Sequence, residues 1–444
     1  MATFEYNYCR RRHSLRFDDA LPVEVAVPKM LPVLPDSAQA IAAAIADPIG
    51  TARLRQIAAK GKKVAIIVTD ITRKIPGDLM VRAILEELSQ AGVKDKDMTI
   101  LIATGLHRPN TPAEIVKMLG PEIPVRIAVV NHNAKDDFSI ADLGKTARGI
   151  PMSLNKIAMK ADIRIATGVI EPHKLAGYSG GVKTMSVGIA GFTTIAHTHA
   201  REMNEHPTTR LGVINGNIFR EFLNEVAMTA GLDFIVNVVQ DADGKLVRVV
   251  AGHPIHAFEA GVEAAKAQAV VEIAQPADLV IAIPGYPKEQ NLYQASRAMN
   301  TVIFGPAPVL IQGGNIIVPA VCDDGFGDDD IYNALSSVAS HKELLARFRR
   351  DGFPPGGAPV AYKLAKIMEL GHVWFTNCEL PAEKLRQIHC ETAPSVQDAV
   401  DRILASKRVS RVLIMPHATT TIPVLRSGGS RDERNAESSF AKAH

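Results

Sequence analysis

The chain has 444 residues and a formal net charge of +3, enough length for two or three domains but too little charge to favour binding to nucleic acid or a membrane surface. Its four cysteines are too few for a disulfide framework, and no stretch of about 18 apolar residues predicts a membrane span. The amino terminus lacks the apolar core of a signal peptide. We therefore expect a cytoplasmic protein with an ordinary globular core.

The first half of the chain alternates helices with apolar strands. Residues 1–35 are rich in proline and predict an edge strand with loops, and the spacing over 37–59 predicts a helix with Asp36 or Ser37 as its N-cap. Four later apolar runs, some with a polar end, predict buried strands, at 62–70, 97–112, 125–133 and 161–170. Helices separate the first three of them, and this alternation favours a doubly wound, mostly parallel sheet.

The second half begins the same pattern again. A β-hairpin is predicted over 234–254, around Asp243 and Gly244, and an alanine-rich helix follows it. A new strand–loop–helix unit starts at residue 277. We therefore predict an α/β fold with two α/β domains and mostly parallel sheets. The predicted ranges are an N-terminal domain at 1–270, which a late strand at 409–425 could rejoin, a C-terminal domain at 271–408, and a disordered tail at 426–444.

Several polar side chains directly follow the predicted strands. The carboxyl ends of parallel strands meet at one edge of a sheet, so side chains from distant segments can converge there. Two of them, His107 and His173, are candidates for acid–base chemistry because imidazole exchanges a proton near neutral pH. Two histidines on opposite sides of a bound carbon would suit a racemase. The full set is Asp70, Arg73, His107, Arg108, His132 and His173.

A glycine-rich segment at 167–191 follows the fourth predicted strand. Six glycines fall within these 25 residues, among them Gly180 and Gly181, and Lys183 comes two residues later. Glycine permits positive φ and leaves backbone N–H groups exposed. Together with His173 and Lys183, the segment suits an anion such as a phosphate. A tight structural turn with solvated lysines is the alternative.

Other candidate ligands are more scattered. His197 and His199 are two residues apart on a predicted helix and point in different directions, so at most one of them would bind a metal such as nickel or zinc. Gln294 and Arg297 share one face of a predicted helix and, with Arg73, could bind a carboxylate. For each of these three alone, a solvated polar residue is the alternative.

An acidic loop at 323–330 contains five aspartates. It lacks the spacing of an EF-hand, so helix capping is the expected role and binding of a hard cation is the alternative.

Five segments taken together resemble the nickel-dependent lactate racemase family. They span both predicted domains in order and are specific as a set, whereas each alone would be weak. The segments are TDITRKIP at 69–76, ATGLHRP at 103–109, GVIEPHKLAGYSGGVK at 168–183, HTH at 197–199 and GYPKEQNLYQASR at 285–297.

The resemblance implies a site and a cofactor. Two α/β domains would hold the active site in the cleft between them. The cofactor would be a nickel-pincer nucleotide, pyridinium-3,5-bisthiocarboxylic acid mononucleotide, made by separate maturation proteins and attached to Lys183 through a thioamide. Asp70, Gly180 and Gly181 would support it, and His199 would bind the nickel.

The resemblance also implies the roles of residues in an isomerase reaction. His107 and His173 would alternate as proton acceptor and donor. Meanwhile a hydride would leave C2 of a 2-hydroxy acid for the cofactor and return on either face, through a 2-keto intermediate. Arg73, Gln294 and Arg297 would orient the substrate.

Two departures from the family's lactate enzymes concern the substrate. Arg297 stands where those enzymes have lysine, and a guanidinium is larger and forked. Those enzymes carry a substrate-side tryptophan where this chain reads GGAPVAYKL, and the single tryptophan, Trp374, lies elsewhere. We therefore expect that a larger or more polar 2-hydroxy acid, such as a sugar acid or a dicarboxylate, could replace lactate.

The residues alone leave two other functions open. A non-catalytic protein that binds a nucleotide or phosphorylated ligand would need the glycine-rich segment and Lys183, but neither histidine. A phosphate-using transferase or a dehydrogenase with a free cofactor would also use strand ends, although no GxGxxG motif follows a first strand.

Overall fold

The computed structural model divides the chain into two compact units. The central unit contains residues 30–268, and the terminal unit combines residues 1–29 with those from 269 onward. The predicted disordered tail falls, from residue 427, outside the described residues. The structure describes residues 1–9, 11–198, 200–241, 243–352 and 358–426.

The terminal unit begins with three strands at the start of the chain. They are β1 (Ala2–Tyr8), β2 (Arg11–Phe17) and β3 (Val23–Val25).

The central unit follows with ten strands and eleven helices among its described residues. The strands are β4 (Val64–Thr69), β5 (Met98–Ala103), β6 (Ala128–Asn131), β7 (Ile140–Lys145), β8 (Pro151–Asn155), β9 (Ile163–Val169), β10 (Pro172–His173), β11 (Gly177–Tyr178), β12 (Phe234–Gln240) and β13 (Leu246–Gly252). The helices are α1 (Ser37–Ala46), α2 (Leu54–Ile57), α3 (Gly77–Gln90), α4 (Pro112–Leu119), α5 (Ile123–Arg126), α6 (Lys156–Lys160), α7 (Lys183–Ser186), α8 (Phe192–Thr198), α9 (Arg201–Glu205), α10 (Ile218–Thr229) and α11 (His256–Ala269).

The terminal unit then resumes. Its later strands are β14 (Val270–Ile273), β15 (Ala277–Ala282), β16 (Leu310–Pro319), β17 (Gly371–Thr376), β18 (Glu391–Ala393), β19 (Val412–Met415) and β20 (Ile422–Leu425). Its helices are α12 (Leu292–Ile303), α13 (Asp329–Ser336), α14 (His341–Asp351), α15 (Ala358–Leu370), α16 (Ala382–Gln387) and α17 (Val396–Ser406).

The main sheet of the central unit has the order β13-β12-β9-β4-β5-β6. All neighbours in it are parallel except β12 and β13, which form the predicted hairpin. Fully buried residues such as Ile66, Ile100 and Ile165 lie on its inner strands and pack with α3. Because β4, β5 and β9 run in the same direction, the segments that leave their carboxyl ends share one edge of the sheet.

The terminal unit is built on a second sheet, with the order β18-β17-β16-β15-β19-β3, and every pairing in it is parallel. The predicted fold class, two α/β domains with mostly parallel sheets, is confirmed. Among the described residues, no helix is both long and apolar enough to cross a membrane.

The structure differs from the predicted domain ranges at both chain ends. Residues 1–29 had been assigned to the N-terminal domain, and 409–425 could have joined it. Instead, β3 and β19 pair in the terminal sheet, with Val23 opposite Val412. The reason is packing, because Leu15 and Phe17 of the β1–β2 hairpin bury their side chains with Ile281 in one apolar cluster.

The single helix predicted over 37–59 is also wrong beyond residue 46. The helix α1 begins as expected, because the Asp36 side chain accepts a hydrogen bond from the Gln39 N–H. It ends at Ala46, ahead of Pro48 and of Gly50, which has φ +70°. The helical pattern resumes only in the short α2.

Candidate active site

The shared edge of the central sheet collects the polar residues that follow β4, β5 and β9. Asp70 is the first residue after β4, His107 lies in the turn after β5, and His173 forms part of the short β10 that follows β9. This is the convergence that the alternation of strands and helices predicts.

Asp70 and His107 form a hydrogen-bonded pair. The His107 Nδ1 lies 2.6 Å from Asp70 Oδ2, and Asp70 Oδ1 accepts hydrogen bonds from the Thr72 hydroxyl and N–H. Burial alone would raise the pKa of Asp70, but the hydrogen bonds from His107 and Thr72 outweigh it and lower that pKa. An ionised carboxylate only accepts, so Nδ1 of His107 carries a proton, and in the neutral ring Nε2 keeps a lone pair. His107 is therefore oriented as a base whose side chain is 60% exposed.

His173 is held in the opposite tautomer. Its Nδ1 accepts hydrogen bonds from the backbone N–H groups of Leu175 and Ala176, at 3.2 and 3.1 Å. The proton of the neutral ring is therefore on Nε2, which can only donate. Burial, followed by the positive charges of Lys183 and Arg73, lowers the pKa of His173 well below its ordinary value. At neutral pH this imidazole is uncharged.

Lys183 is the first residue of α7 and is partly buried. Burial, with the charges of Arg73 and Arg220, lowers the pKa of its amine to about 7, although Glu171 and Asp70 act in the opposite direction. A large fraction of the amine is therefore neutral, and hence nucleophilic, near neutral pH.

Gly180 and Gly181 form the turn ahead of Lys183 and cannot carry a side chain. Their φ angles are +75° and +59°. A Cβ on Gly180 would lie 2.6 Å from Asn237 Oδ1, and one on Gly181 would lie 2.7 Å from the Phe258 ring. The Gly181 N–H donates to Asn237 Oδ1, so β12 holds the loop in place.

Arg73 faces a carboxylate within the same unit. Its Nη1 donates to Glu171 Oε1 at 2.8 Å. It also lines a cavity of about 640 Å³ together with Lys74, Lys117 and Lys245, so this side of the edge is rich in positive charge.

The comparisons with known proteins agree over both units. The family described as the lactate racemase N-terminal domain matches residues 8–212, and the lactate racemase C-terminal domain matches residues 272–422. A lactate racemase from Lactiplantibacillus plantarum is 32% identical over 376 residues, which cover 83% of this chain and 87% of the relative. The chain belongs to the lactate racemase family.

Further similarities support the lactate racemase assignment. A lactate racemase from Thermoanaerobacterium thermosaccharolyticum is 36% identical over 310 residues, covering 70% of this chain and 71% of the relative. The structure of a lactate racemase apoprotein from that organism matches with a TM-score of 0.85 and 29% identity, over 96% of this chain and all of that one. Racemases are isomerases, so the predicted family and enzyme class are confirmed.

A more distant structure agrees on the fold alone. A crystal structure of a Thermotoga maritima protein matches with a TM-score of 0.67 at 18% identity, covering 90% of this chain and all of that one.

Among the predicted site residues of this lactate racemase family member, two belong to the terminal unit and one is not described. His199 lies outside the described residues. Gln294 and Arg297 lie in α12 of the terminal unit, where the Gln294 N–H donates to the capping Asn291. Outside the omitted positions, no group of three or more histidine, cysteine, aspartate or glutamate side chains is arranged to hold a metal.

Two of the predicted strand-end residues have structural roles instead. His132 is buried and bonds through Nε2 to the Ala190 carbonyl and through Nδ1 to Asn155. Arg108 forms a two-pronged ion pair with Glu114 in the first turn of α4. In the acidic loop, Asp328 caps α13 by accepting from the Asp330 N–H, as the capping prediction requires.

Sequence reasoning missed the supporting residues Thr72, Glu171, Asn237 and Arg220. Thr72 and Glu171 lie inside the matched segments, so their position was a usable signal. Asn237 sits within an apolar strand and Arg220 within an amphipathic helix, where the pattern indicates only burial or a solvated face.

Proposed function

We propose that this chain is a racemase or epimerase acting at C2 of a 2-hydroxy acid. The observation that carries the proposal is a pair of imidazoles in opposite tautomers, His107 with a lone pair on Nε2 and His173 with a proton there, on the edge that also bears Lys183. Inverting a hydroxyl-bearing carbon requires a proton acceptor and a proton donor for the hydroxyl group.

His107 is the proton acceptor in this protonation state. Its Nε2 takes the hydroxyl proton of the substrate as the C2 hydride departs, and the buried carboxylate of Asp70 stabilises the imidazolium that results. His173 donates a hydrogen bond from Nε2 to the substrate oxygen. For His173 to act as acceptor in its turn, its Nδ1 must be released from the N–H groups of Leu175 and Ala176.

The residues around Lys183 suit the cofactor that the family implies. A neutral amine is the species that would attack the carbon of a thiocarboxylic acid; the C–N bond of the thioamide would form as the C–O bond breaks and the oxygen leaves as water. The pKa of Lys183 of about 7 supplies that neutral amine. Beside Gly180 and Gly181, the buried Asn237 Nδ2 has no hydrogen-bond partner among the described residues, which leaves a donor for a ligand. When bound, the nickel-pincer nucleotide would supply hydride acceptance and return.

Within this proposal, Lys183 is the attachment point, Gly180 and Gly181 form the tight turn that positions it, and Asp70 acts through His107. His199 would be the protein ligand to nickel. Maturation proteins would supply the cofactor, and the reaction would take place in the cytoplasm.

Substrate orientation is assigned to Arg73, Gln294 and Arg297. Arg73 belongs to the central edge, whereas the other two share one face of α12, because they are three residues apart. The forked guanidinium at 297 favours a 2-hydroxy acid with a further polar group, either a sugar acid or a dicarboxylate, over lactate.

The proposal is tested with chain produced alongside the maturation proteins and a panel of single enantiomers deuterated at C2: lactate, malate and several aldonates. Chiral chromatography and mass spectrometry should detect inversion of at least one acid with deuterium retained at C2, because the same hydride returns. His107→Ala should slow that inversion by about 10²-fold or more. His372→Ala changes an exposed histidine of β17 and is the matched control.

Failure to invert any acid in the panel would contradict the proposal. Tight binding of an acid or a nucleotide without inversion, unaffected by His107→Ala, would instead indicate the non-catalytic binding protein.

A further inference from the structure

Arg220 is a buried cation that the proposed reaction does not use. It lies in the first turn of α10, is 2% exposed and is the largest fully buried side chain in the described part of the chain. Its guanidinium carbon lies 4.2 Å from the centre of the Phe258 ring. Placing a charged group in such a site is costly unless hydrogen bonds or opposite charges replace the water that it loses.

The guanidinium holds the return strand of the hairpin that carries His173. Nε and Nη2 donate to the Ala176 carbonyl at 3.3 and 3.2 Å, and Nη2 also donates to the Tyr178 carbonyl. In the hairpin, His173 pairs with Gly177, which lies between these two carbonyls in sequence. A single planar group therefore fixes both carbonyls that flank the partner of His173.

Ala176 joins this anchor to the imidazole. Its carbonyl accepts from Arg220, while its N–H donates to His173 Nδ1 at 3.1 Å. The 175–176 turn determines which nitrogen of His173 carries the proton. Arg220 therefore holds this turn in place through the Ala176 carbonyl. A lysine at this position would keep the charge but could not present the same fork of donors.

The charge of Arg220 also acts on the edge itself. It lowers the pKa of His173, after burial and the charges of Lys183, Arg73 and Lys174. It lowers the pKa of Lys183 as well, after burial and Arg73, against the opposite effects of Glu171 and Asp70. The Nη1 of Arg220 has no hydrogen-bond partner among the residues that the structure describes, so one end of the cation is uncompensated.

We propose that Arg220 is a positioning residue that fixes the orientation and tautomer of His173 through the carbonyls of Ala176 and Tyr178. The use of His173 as a catalytic imidazole rests on the proposed function, whereas the tautomer itself does not. The electrostatic consequence is that Arg220 adds to the burial that lowers the pKa of His173 and of Lys183.

The test uses the full chain without cofactor, labelled with ¹⁵N-histidine, with His173→Gln identifying the His173 signals. In the wild type, we expect a neutral ring with its proton on Nε2 at every pH from about 6 to 8. Arg220→Gln should convert this to a mixture of tautomers, because the Ala176 and Tyr178 carbonyls lose their donor.

Arg220→Lys separates the effect of the hydrogen bonds from the effect of the charge. It is also the variant expected to fold if Arg220→Gln does not. Because the charge remains, the ring should stay neutral, but the loss of the fork should still mix the tautomers. The rate at which an amine-reactive reagent modifies Lys183 near pH 7 should fall in Arg220→Gln and stay near the wild-type rate in Arg220→Lys.

Arg164→Lys is the matched control, because Arg164 is a partly buried arginine of the same unit whose guanidinium also binds backbone carbonyls, at Gly231 and Ala161. It should leave the His173 signals unchanged. An unaltered tautomer of His173 in both Arg220 variants would overturn the proposal, as would an equal disturbance in Arg164→Lys. Neither the histidine signals nor the rate of Lys183 modification depends on inversion activity. A failure of the proposed racemase reaction would therefore leave this test of Arg220 unaffected.

Discussion

At the scale of single residues, Asp70 determines what His107 can do. Its carboxylate accepts from Nδ1 of His107, which leaves Nε2 as the acceptor on the exposed side of the ring. Removal of that negative charge would have two effects at once, because the imidazolium would lose its stabilisation and the ring could take the other tautomer.

We predict that Asp70→Asn lowers kcat for inversion by about 10²-fold or more with little change in KM, because the amide can donate to Nδ1 and move the ring proton onto Nε2. Steady-state kinetics with the best substrate of the panel measures both constants. Asp47→Asn, which changes an exposed aspartate at the end of α1, should leave them unchanged. A kcat for Asp70→Asn within twofold of the wild-type value would contradict this role for Asp70.

The sequence suggests the three side chains that we propose to react, but not the residues that hold them in place. His107, His173 and Lys183 follow strand ends or glycines, and those signals are local in the chain. The tautomers of the two histidines depend on Asp70, 37 residues before His107, and on the N–H groups of the 175–176 turn. Hydrogen-bond partners of this kind follow from backbone geometry, which residue type and spacing alone do not determine.

At the scale of elements, Glu87 joins α3 to α2. Its carboxylate accepts from Arg53 Nη2 at 2.7 Å and from Arg55 Nε at 2.9 Å, and its side chain is 8% exposed. The hydrogen bonds from Arg55, followed by those from Arg53, lower the pKa of Glu87 from 4.5 to about 2, although burial opposes them. The position of the short α2 therefore depends on the negative charge of Glu87 in α3.

We predict that Glu87→Gln lowers the free energy of unfolding by about 1–2 kcal/mol at pH 7, because the three charge-assisted hydrogen bonds from Arg53 and Arg55 are weakened. The folded pKa is depressed, so this contribution is complete above pH 4.5 and is lost as the pH falls toward 2. Urea unfolding measured between pH 7 and pH 3.5 should show that the difference in the free energy of unfolding between wild type and variant becomes smaller as the pH falls.

Glu86→Gln provides the control for that comparison, since the neighbouring carboxylate is exposed and bonds only to Gln90 among the described residues. Glu86→Gln should change the free energy of unfolding by no more than about 0.5 kcal/mol. A gap between Glu87→Gln and wild type that widens as the pH falls would be inconsistent with a depressed pKa.

The predictions of strands and helices were wrong where the sequence signals were weakest. The strands β4, β5 and β9 are long apolar runs and were predicted, and so was the β12–β13 hairpin with its Asp243-Gly244 turn. The β1–β2 hairpin was missed because its turn has no such dipeptide and instead places Cys9 at φ +46°. The break after Ala46 follows from Pro48, which the helical spacing on either side obscured.

At the scale of the whole molecule, the first strands of the chain complete the terminal unit, which is otherwise built from residues after 268. The strand β3 is the edge of its sheet, and the β1–β2 hairpin covers one face. This arrangement could not be predicted from the pattern, because the alternation of Tyr6 and Tyr8 with exposed residues indicates a strand but not the sheet that it packs against. Pairing across nearly 400 residues is determined only by the packed core.

We predict that Leu15→Ala destabilises the terminal unit by about 2–4 kcal/mol, because Leu15 is 1% exposed within the cluster that includes Leu279 and Ile414. Hydrogen exchange should become faster in peptides that cover β15 and β19, and should change less in those that cover β4 and β5. Ser14→Ala, on the exposed face of the same strand, should have no such effect. Faster exchange confined to β4 and β5 would contradict the assignment of the hairpin to the terminal unit.

We propose above that Lys183 carries the cofactor that accepts and returns the hydride. The most direct measurement is peptide mass mapping of chain that inverts a 2-hydroxy acid after production with the maturation proteins. We predict a single added mass, that of the pincer nucleotide joined through a thioamide, on the peptide containing Lys183, with Lys174 unmodified. A chain that inverts substrate while Lys183 stays unmodified would contradict the account.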